Sequence, residues 1–258
     1  MTMARQLEPN DKVHVTFELP REVTVSDAVP ADVLWQDRFC LAANKPTGLL
    51  VHGDGTGADT LTRRVAAYLA AQAQPGSWQV PSAPQALQRL DVPTSGIVWF
   101  SLTKEFQSAF DALIASHAMD KWYLAVVEGS VDWDVRDLRQ PIARDRHDAR
   151  RMRVGKTGKP AHTRVVCLSR LGGSTLVACR LLTGRRHQIR VHLAHAGYAI
   201  TGDELYGRPT KDGLMLHAFR TAFTHPITHE RIVQQTDWPA RFTKLFSPCD
   251  VDWSILEA

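Results

Sequence analysis

The sequence predicts an α+β fold, a mixed and largely antiparallel sheet with flanking helices and loops. Three observations predict it. Segments with strand character outnumber helical ones, most are joined by hairpin-length links, and no internal repeat appears.

Residues 1–30 form an arm ahead of one domain over 31–258. Within the arm, residues 12–18 alternate like a short strand, and Pro20 and Pro30 then interrupt the chain. Val33-Leu34-Trp35 and residues 39–43 predict a hairpin turning at Gln36-Asp37-Arg38. Residues 44–52 predict a turn followed by a short strand. Asp59 or Thr60 is placed to cap a helix from Leu61 to Gln72. Residues 73–86, rich in Pro, Gly, Ser and Gln, predict a flexible crossing. Ile97 to Leu102 is a buried strand. Phe106, Phe110, Leu113 and Ile114 recur at helical spacing over 104–117. Residues 121–128 alternate, with Tyr123, Ala125 and Val127 on one face. Residues 163–168 and 175–182 are strands around Gly172-Gly173. Residues 184–197 predict a helix ended by Gly197, and 214–223 a last strand.

With 258 residues, 44% hydrophobic and 22% charged, the chain suits a globular protein with a sizeable core. No apolar run approaches the roughly 20 residues that span a bilayer, and the first 18 residues lack a signal-peptide core. No membrane contact and a cytoplasmic location are therefore expected. The four cysteines are dispersed, which predicts buried thiols rather than a metal cluster. A net charge of +4 leans toward a polyanionic partner. Basic residues crowd one segment: Arg144, Arg146, Arg150, Arg151, Arg153, Lys156 and Lys159. Gly155 and Gly158 predict a mobile loop there, suited to a phosphate backbone.

The chemistry centres on Arg89-Leu90-Asp91-Val92-Pro93-Thr94-Ser95-Gly96. It places a carboxylate and a cation on a turn directly before an apolar strand, where catalytic acids are often held. In the helix over 184–197, Arg186, His187 and Arg190 fall within one turn. Arg190 sits between Ile189 and Val191, so its base is packed and its guanidinium needs a carboxylate or phosphate; Asp91 is a candidate. His187, His192 and His195 lack a further ligand at metal-binding spacing and are flanked by arginines, so no metal is expected; RNA or water contacts are expected for them instead. Tyr123 is either a core ring or a stacking surface for a base.

Four blocks, in order, resemble the RluA-type pseudouridine synthases. They are residues 45–52, residues 89–96, residues 121–129 and residues 184–192; Gly202-Asp203-Glu204-Leu205-Tyr206-Gly207 and Leu216-His217-Ala218 are weaker matches. The resemblance covers residues 32 to 230. It implies a pseudouridine-synthase-like fold around a central RNA-binding cleft, with ribosomal or transfer RNA as partner. It implies Asp91 as the essential aspartate, Tyr123 as the ring packed on the target base, Arg190 as the partner of Asp91, and Arg89 as a filler for the space of the extruded base. Lys45, His52, Thr94, Arg186, His187, Gln188, Arg150 and Arg151 are expected to bind substrate. Two departures stand out. Gln88 replaces the usual His before Arg-Leu-Asp. Residues 1–30 are too short for the family's small N-terminal RNA-binding domain; residues 10–15 resemble only its last strand, a remnant.

Isomerising uridine moves the glycosidic bond from N1 to C5 and needs no cofactor. The base must first leave its stack. Asp91 then either attacks C1′ or removes a proton from C2′. Arg190 keeps the carboxylate ionised, and Tyr123 stacks on the uracil and helps remove the C5 proton. A monomer is expected. Two other classes remain open: an RNA-binding or RNA-folding protein without activity, and a nucleoside hydrolase, which usually needs a second carboxylate.

Overall fold

A computed structural model of the chain describes residues 29–53, 59–72 and 84–248. The predicted strand at 12–18 and the rest of the arm up to residue 28 lie outside them, as does most of the crossing over 73–86. The elements in order are β1 (Val33–Gln36), β2 (Cys40–Lys45), α1 (Leu61–Gln72), β3 (Gln85–Ala86), β4 (Ser95–Ser101), α2 (Gln107–Ala115), β5 (Asp120–Glu128), β6 (Val135–Leu138), β7 (Ile142–Arg144), β8 (Met152–Val154), β9 (Thr163–Leu171), β10 (Ser174–Leu181), α3 (Gln188–His195), β11 (Leu216–Thr224), β12 (Arg231–Gln235) and α4 (Ala240–Thr243).

A ten-stranded sheet runs in the order β1-β2-β4-β11-β5-β10-β9-β6, with β12 beside β11 and β3 beside β4. Its pairings are antiparallel except that between β4 and β11. There His217 aligns with Ser95 and Ala218 with Gly96. Gly96 makes this approach possible. Its φ is +111°, and a Cβ would stand 2.1 Å from the Ala218 carbonyl oxygen.

The predicted strand at 97–102 is buried on both faces because a helix covers each. Ile97 and Trp99 pack with Phe110 and Leu113 of α2. Val98 and Phe100 pack with Leu61, Val65 and Leu69 of α1. Alternation along the strand meets the four-residue spacing of α1. The Thr60 hydroxyl accepts from the Arg63 amide at 3.2 Å, the capping bond expected at that position. β5 and β10 pair along the middle of the sheet, with α3 and α4 packed on the same apolar cluster. Both faces of β5 are buried, not one.

Several expectations give way. The strand after Asn44 reduces to one bridge, Leu50 to Thr60. The basic segment 144–159 is not a loop: β7 and β8 pair across a turn that Asp145 and Asp148 tie with their side chains. The helix over 184–197 starts only at Gln188, because His187 has a left-handed φ of 55°. Arg186 is therefore off the helix. The crossing contains β3, and the edge strands β6 and β12 add to the sheet; their exposed, charged faces hide the strand pattern.

Candidate active site

The turn from Asp91 into β4 is tied from inside. Thr94 N donates to Asp91 O at 3.0 Å, and Gly48 N donates to Val92 O at 2.9 Å. Lys45, wholly buried, donates from Nζ to the carbonyls of Pro46, Leu49 and Val92 at 2.7–3.0 Å. All three ammonium protons are thereby used. Burial holds the Lys45 ammonium down to a pKa of about 8, against the opposing pull of Asp91. Its expected contact with substrate does not fit this inward position; it staples the carboxylate loop instead.

Asp91 opens into a cleft whose walls include Arg89, Thr94, Tyr123, His187, Arg190 and Leu216. Arg190, on the first turn of α3, donates from Nη1 to Asp91 Oδ2 at 3.0 Å. The sequence-expected pair thus meets. Arg190 also donates from Nε and Nη2 to the two oxygens of Asp203, both at 2.8 Å. Asp203 is fully buried, and its Oδ1 accepts further from the amides of Leu205 and Tyr206. Asp203 stood in the weaker match over residues 202–207 but was given no role by the sequence. The signal was present: an arginine on a packed helix face needs its whole fork satisfied. Gly202 allows the Asp203 turn, since a Cβ there would stand 1.9 Å from the Gly213 carbonyl oxygen.

Tyr123 faces Asp91 from mid-β5. Burial first, and then the Asp91 charge, push its phenol pKa upward. It therefore keeps its proton at neutral pH, which suits a stacking ring better than a base. Thr94 is buried, and its hydroxyl has no hydrogen-bond partner among the described residues. Arg89 is exposed at the mouth. His52 lies on the same side; burial and the charge of Arg89 lower its pKa. The Gln88 side-chain oxygen is buried and unpartnered among the described residues.

Behind the cleft, Arg241 donates from Nη2 to Ser95 Oγ at 2.6 Å. Ser95 Oγ meets His217 Nδ1 at 2.7 Å, and His217 Nε2 meets Thr236 Oγ1 at 2.7 Å. Thr236 donates its hydroxyl to the Phe219 carbonyl at 3.4 Å and so accepts from His217 Nε2, which leaves Nδ1 to accept from the Ser95 hydroxyl. This chain braces the start of β4 against β11.

The remaining predicted binders divide. Gln188 is consumed by Thr183, Arg185, His162 and Thr163, so it shapes the entry to α3. Arg186 lines a second groove with Arg144, Lys159 and Arg185, and donates to the carbonyls of Ala149 and Arg150. Arg150 and Arg151 are exposed on the β7–β8 hairpin. His192 does not reach RNA or water; it is buried against Thr163 Oγ1 and the Gln140 carbonyl. One grouping among the described residues has metal-ligand spacing: Asp37, Cys40 and His225, at the opposite end of β2 and β11. There His225 Nδ1 accepts from the amides of Ile227 and Thr228, which puts the proton on Nε2, facing Asp37 at 3.3 Å. The trio reads as a latch between two turns.

Residues 40–195 match the family model described as RNA pseudouridylate synthase. The chain is 32% identical over 247 residues to the Bacillus subtilis protein named uncharacterized RNA pseudouridine synthase YlyB, covering 93% of this chain and 80% of that one. It is 33% identical to ribosomal large subunit pseudouridine synthase D of Neisseria meningitidis serogroup A, covering 93% and 69%. In fold it is similar to human RNA pseudouridylate synthase domain containing 1, with a TM-score of 0.69 at 22% identity over 88% of this chain and 93% of that one. No described helix is long and apolar enough to cross a membrane. With Asp91, Tyr123 and Arg190 inside the matched span, the chain belongs to the RNA pseudouridylate synthase family, isomerases that convert uridine in RNA to pseudouridine.

Proposed function

We propose that Asp91 starts this isomerisation, and that the RNA is ribosomal. The observation that carries the first part is the placement of Asp91. Its carboxylate is half-buried at the floor of the cleft, held on one oxygen by Arg190 and opposite the Tyr123 ring. An ionised oxygen with a fixed direction suits either attack on C1′ or removal of the C2′ proton. In both, the C1′–N1 bond breaks and the uracil turns; C5 then bonds to C1′ as the bond from Asp91 to C1′ breaks in the first route, or as Asp91 returns the proton to C2′ in the second. C5 then loses its proton to solvent and N1 gains one, so nothing enters or leaves overall. Tyr123 and Leu216 flank the space where the base would sit. Arg89 at the mouth is positioned to fill the gap in the stack.

The groove bearing Arg144, Lys159, Arg185 and Arg186 supports a phosphate-binding role beside the cleft, with Arg150 and Arg151 on the same hairpin. Ribosomal RNA is favoured over transfer RNA by the names of several relatives. Residues 31–258 act as the catalytic domain. It acts as a monomer in the cytoplasm. A hydrolase with two working carboxylates is disfavoured, because Asp203 is buried behind Arg190.

The test uses RNA carrying tritium at uridine C5, isolated from cells that lack this protein. The wild-type chain is expected to release tritium to water, and Asp91→Asn to release none while still binding RNA. Free uracil would indicate hydrolysis. Undiminished release by Asp91→Asn would remove Asp91 from its role. Mapping pseudouridines in ribosomal and transfer RNA of a deletion strain identifies the target.

A further inference from the structure

Asp91 has a second neighbour besides Arg190. His187 Nε2 stands 3.7 Å from Asp91 Oδ1, the oxygen that Arg190 does not hold. The imidazole is nearly buried, with 8% of its side chain exposed, and its backbone is left-handed at φ 55°. A non-glycine residue in that conformation costs on the order of 1 kcal/mol and persists only where its surroundings over-determine it.

Tyr206 supplies that determination. Its Oη accepts from the Met152 amide at 2.7 Å, at the start of β8. The hydroxyl proton then needs an acceptor, and His187 Nδ1 lies 2.8 Å away. With Nδ1 accepting, a neutral imidazole carries its proton on Nε2, directed at Asp91. Burial is the main cause that lowers the His187 pKa. The groups facing it are Asp91 and Asp203, which raise it, and Arg190 and Arg186, which lower it. Tyr206 is itself fixed. Its amide donates to Asp203, and the guanidinium carbons of Arg190 and Arg151 stand 5.2 and 5.3 Å from its ring centre.

We propose that Tyr206 is a positioning residue for the isomerisation: its hydroxyl joins the backbone of the β7–β8 hairpin to His187 and so sets the imidazole tautomer that faces Asp91. Two carboxylate oxygens thereby receive two different partners. Arg190 is aimed by Asp203, and His187 by Tyr206, three residues later in the same turn. The proposal rests on the role given to Asp91.

The experiment pairs two variants in the tritium-release assay on the bulk RNA described above. Tyr206→Phe keeps the ring and removes only the hydroxyl. His187→Asn keeps a residue that tolerates the left-handed backbone. Each is expected to lower the release rate at saturating RNA about tenfold or more, with the half-saturating RNA concentration within about twofold. The double variant is expected to be no slower than the slower single one, since both break the same connection. Losses that multiply, or a Tyr206→Phe rate equal to wild type, overturn the proposal. Histidine-15N NMR of the RNA-free protein gives a separate readout. It should show His187 protonated at Nε2 in the wild type and lose that fixed tautomer in Tyr206→Phe; a proton on Nδ1 in the wild type overturns the proposal. A wild-type protein that releases no tritium overturns the role of Asp91, and the NMR result still judges the hydrogen-bond connection.

Discussion

Asp203 grips Arg190 with both carboxylate oxygens, each bond 2.8 Å long, and leaves one guanidinium nitrogen for Asp91. The arginine is thus aimed before any RNA arrives. Removing one partner of a buried ion pair leaves the other uncompensated, which costs about 3–5 kcal/mol. Asp203→Asn is expected to lose stability toward the lower end of that range, because an amide oxygen still accepts one bond. Urea denaturation measures it, and a loss under about 1 kcal/mol would show that Asp203 is not the anchor.

The second groove makes an electrostatic prediction. Arg144 and Lys159 line it and are both exposed. Replacing both with Ala should weaken RNA binding and flatten its salt dependence by about 0.7 in slope per lost phosphate contact on single strands. Fluorescence anisotropy across a salt series is the measurement. A slope equal to wild type would take phosphate binding away from this groove.

Gly96 marks where β4 meets β11. Its positive φ and the 2.1 Å approach to Ala218 leave no room for a methyl group. Gly96→Ala should cost upward of about 3 kcal/mol, since both backbone strain and strand separation follow. Thermal melting compared with Gly172→Ala, in an open turn with nothing within 4 Å, calibrates the effect. Equal melting points would mean that β4 and β11 are not held this closely.

Acid should loosen the brace behind the cleft. Burial, and then Arg241, lower the His217 pKa from the ordinary 6.5 to about 3. The unfolded chain therefore binds the extra proton first. Between those two values stability falls as the pH falls, by up to about 1.4 kcal/mol per pH unit for this one group. His187 and His192 are lowered too and add to the slope. His217→Gln should be less stable at pH 7 yet lose less between pH 6 and pH 4. Parallel losses in the two proteins would exonerate His217.

Much of this architecture was legible in the residues. The hairpin at 33–43, the bounds of α1 and the Asp91–Arg190 pair follow from alternation, capping and charge, which are local or pairwise properties. The inward turn of Lys45 was not legible, because three carbonyls from two separate loops create it. Nor was the β7–β8 hairpin, whose glycines and charges mimic a solvated loop. The late start of α3 was hidden for a similar reason: the Tyr206 contact that accompanies the unusual His187 backbone comes from 19 residues away. Asp203 sits in an irregular segment without period, so apart from the weaker match over residues 202–207 only the unmet valence of Arg190 pointed to it.

The parallel pairing of β4 with β11 also bears on how the protein comes into being. Asp91 precedes one of these strands and Asp203 precedes the other, so the two segments enter the sheet from the same end. Between Ser95 and His217 lie six of the twelve strands among the described residues, and antiparallel neighbours such as β9 and β10 can close on their own hairpin early. The parallel pair cannot; it waits for a distant segment, and contacts of such separation form slowly. During synthesis, a chain that has not yet delivered residues 216–224 has its carboxylate without its brace. The ability to rearrange RNA is thus acquired only once residues 216–224 have been made and have docked beside β4.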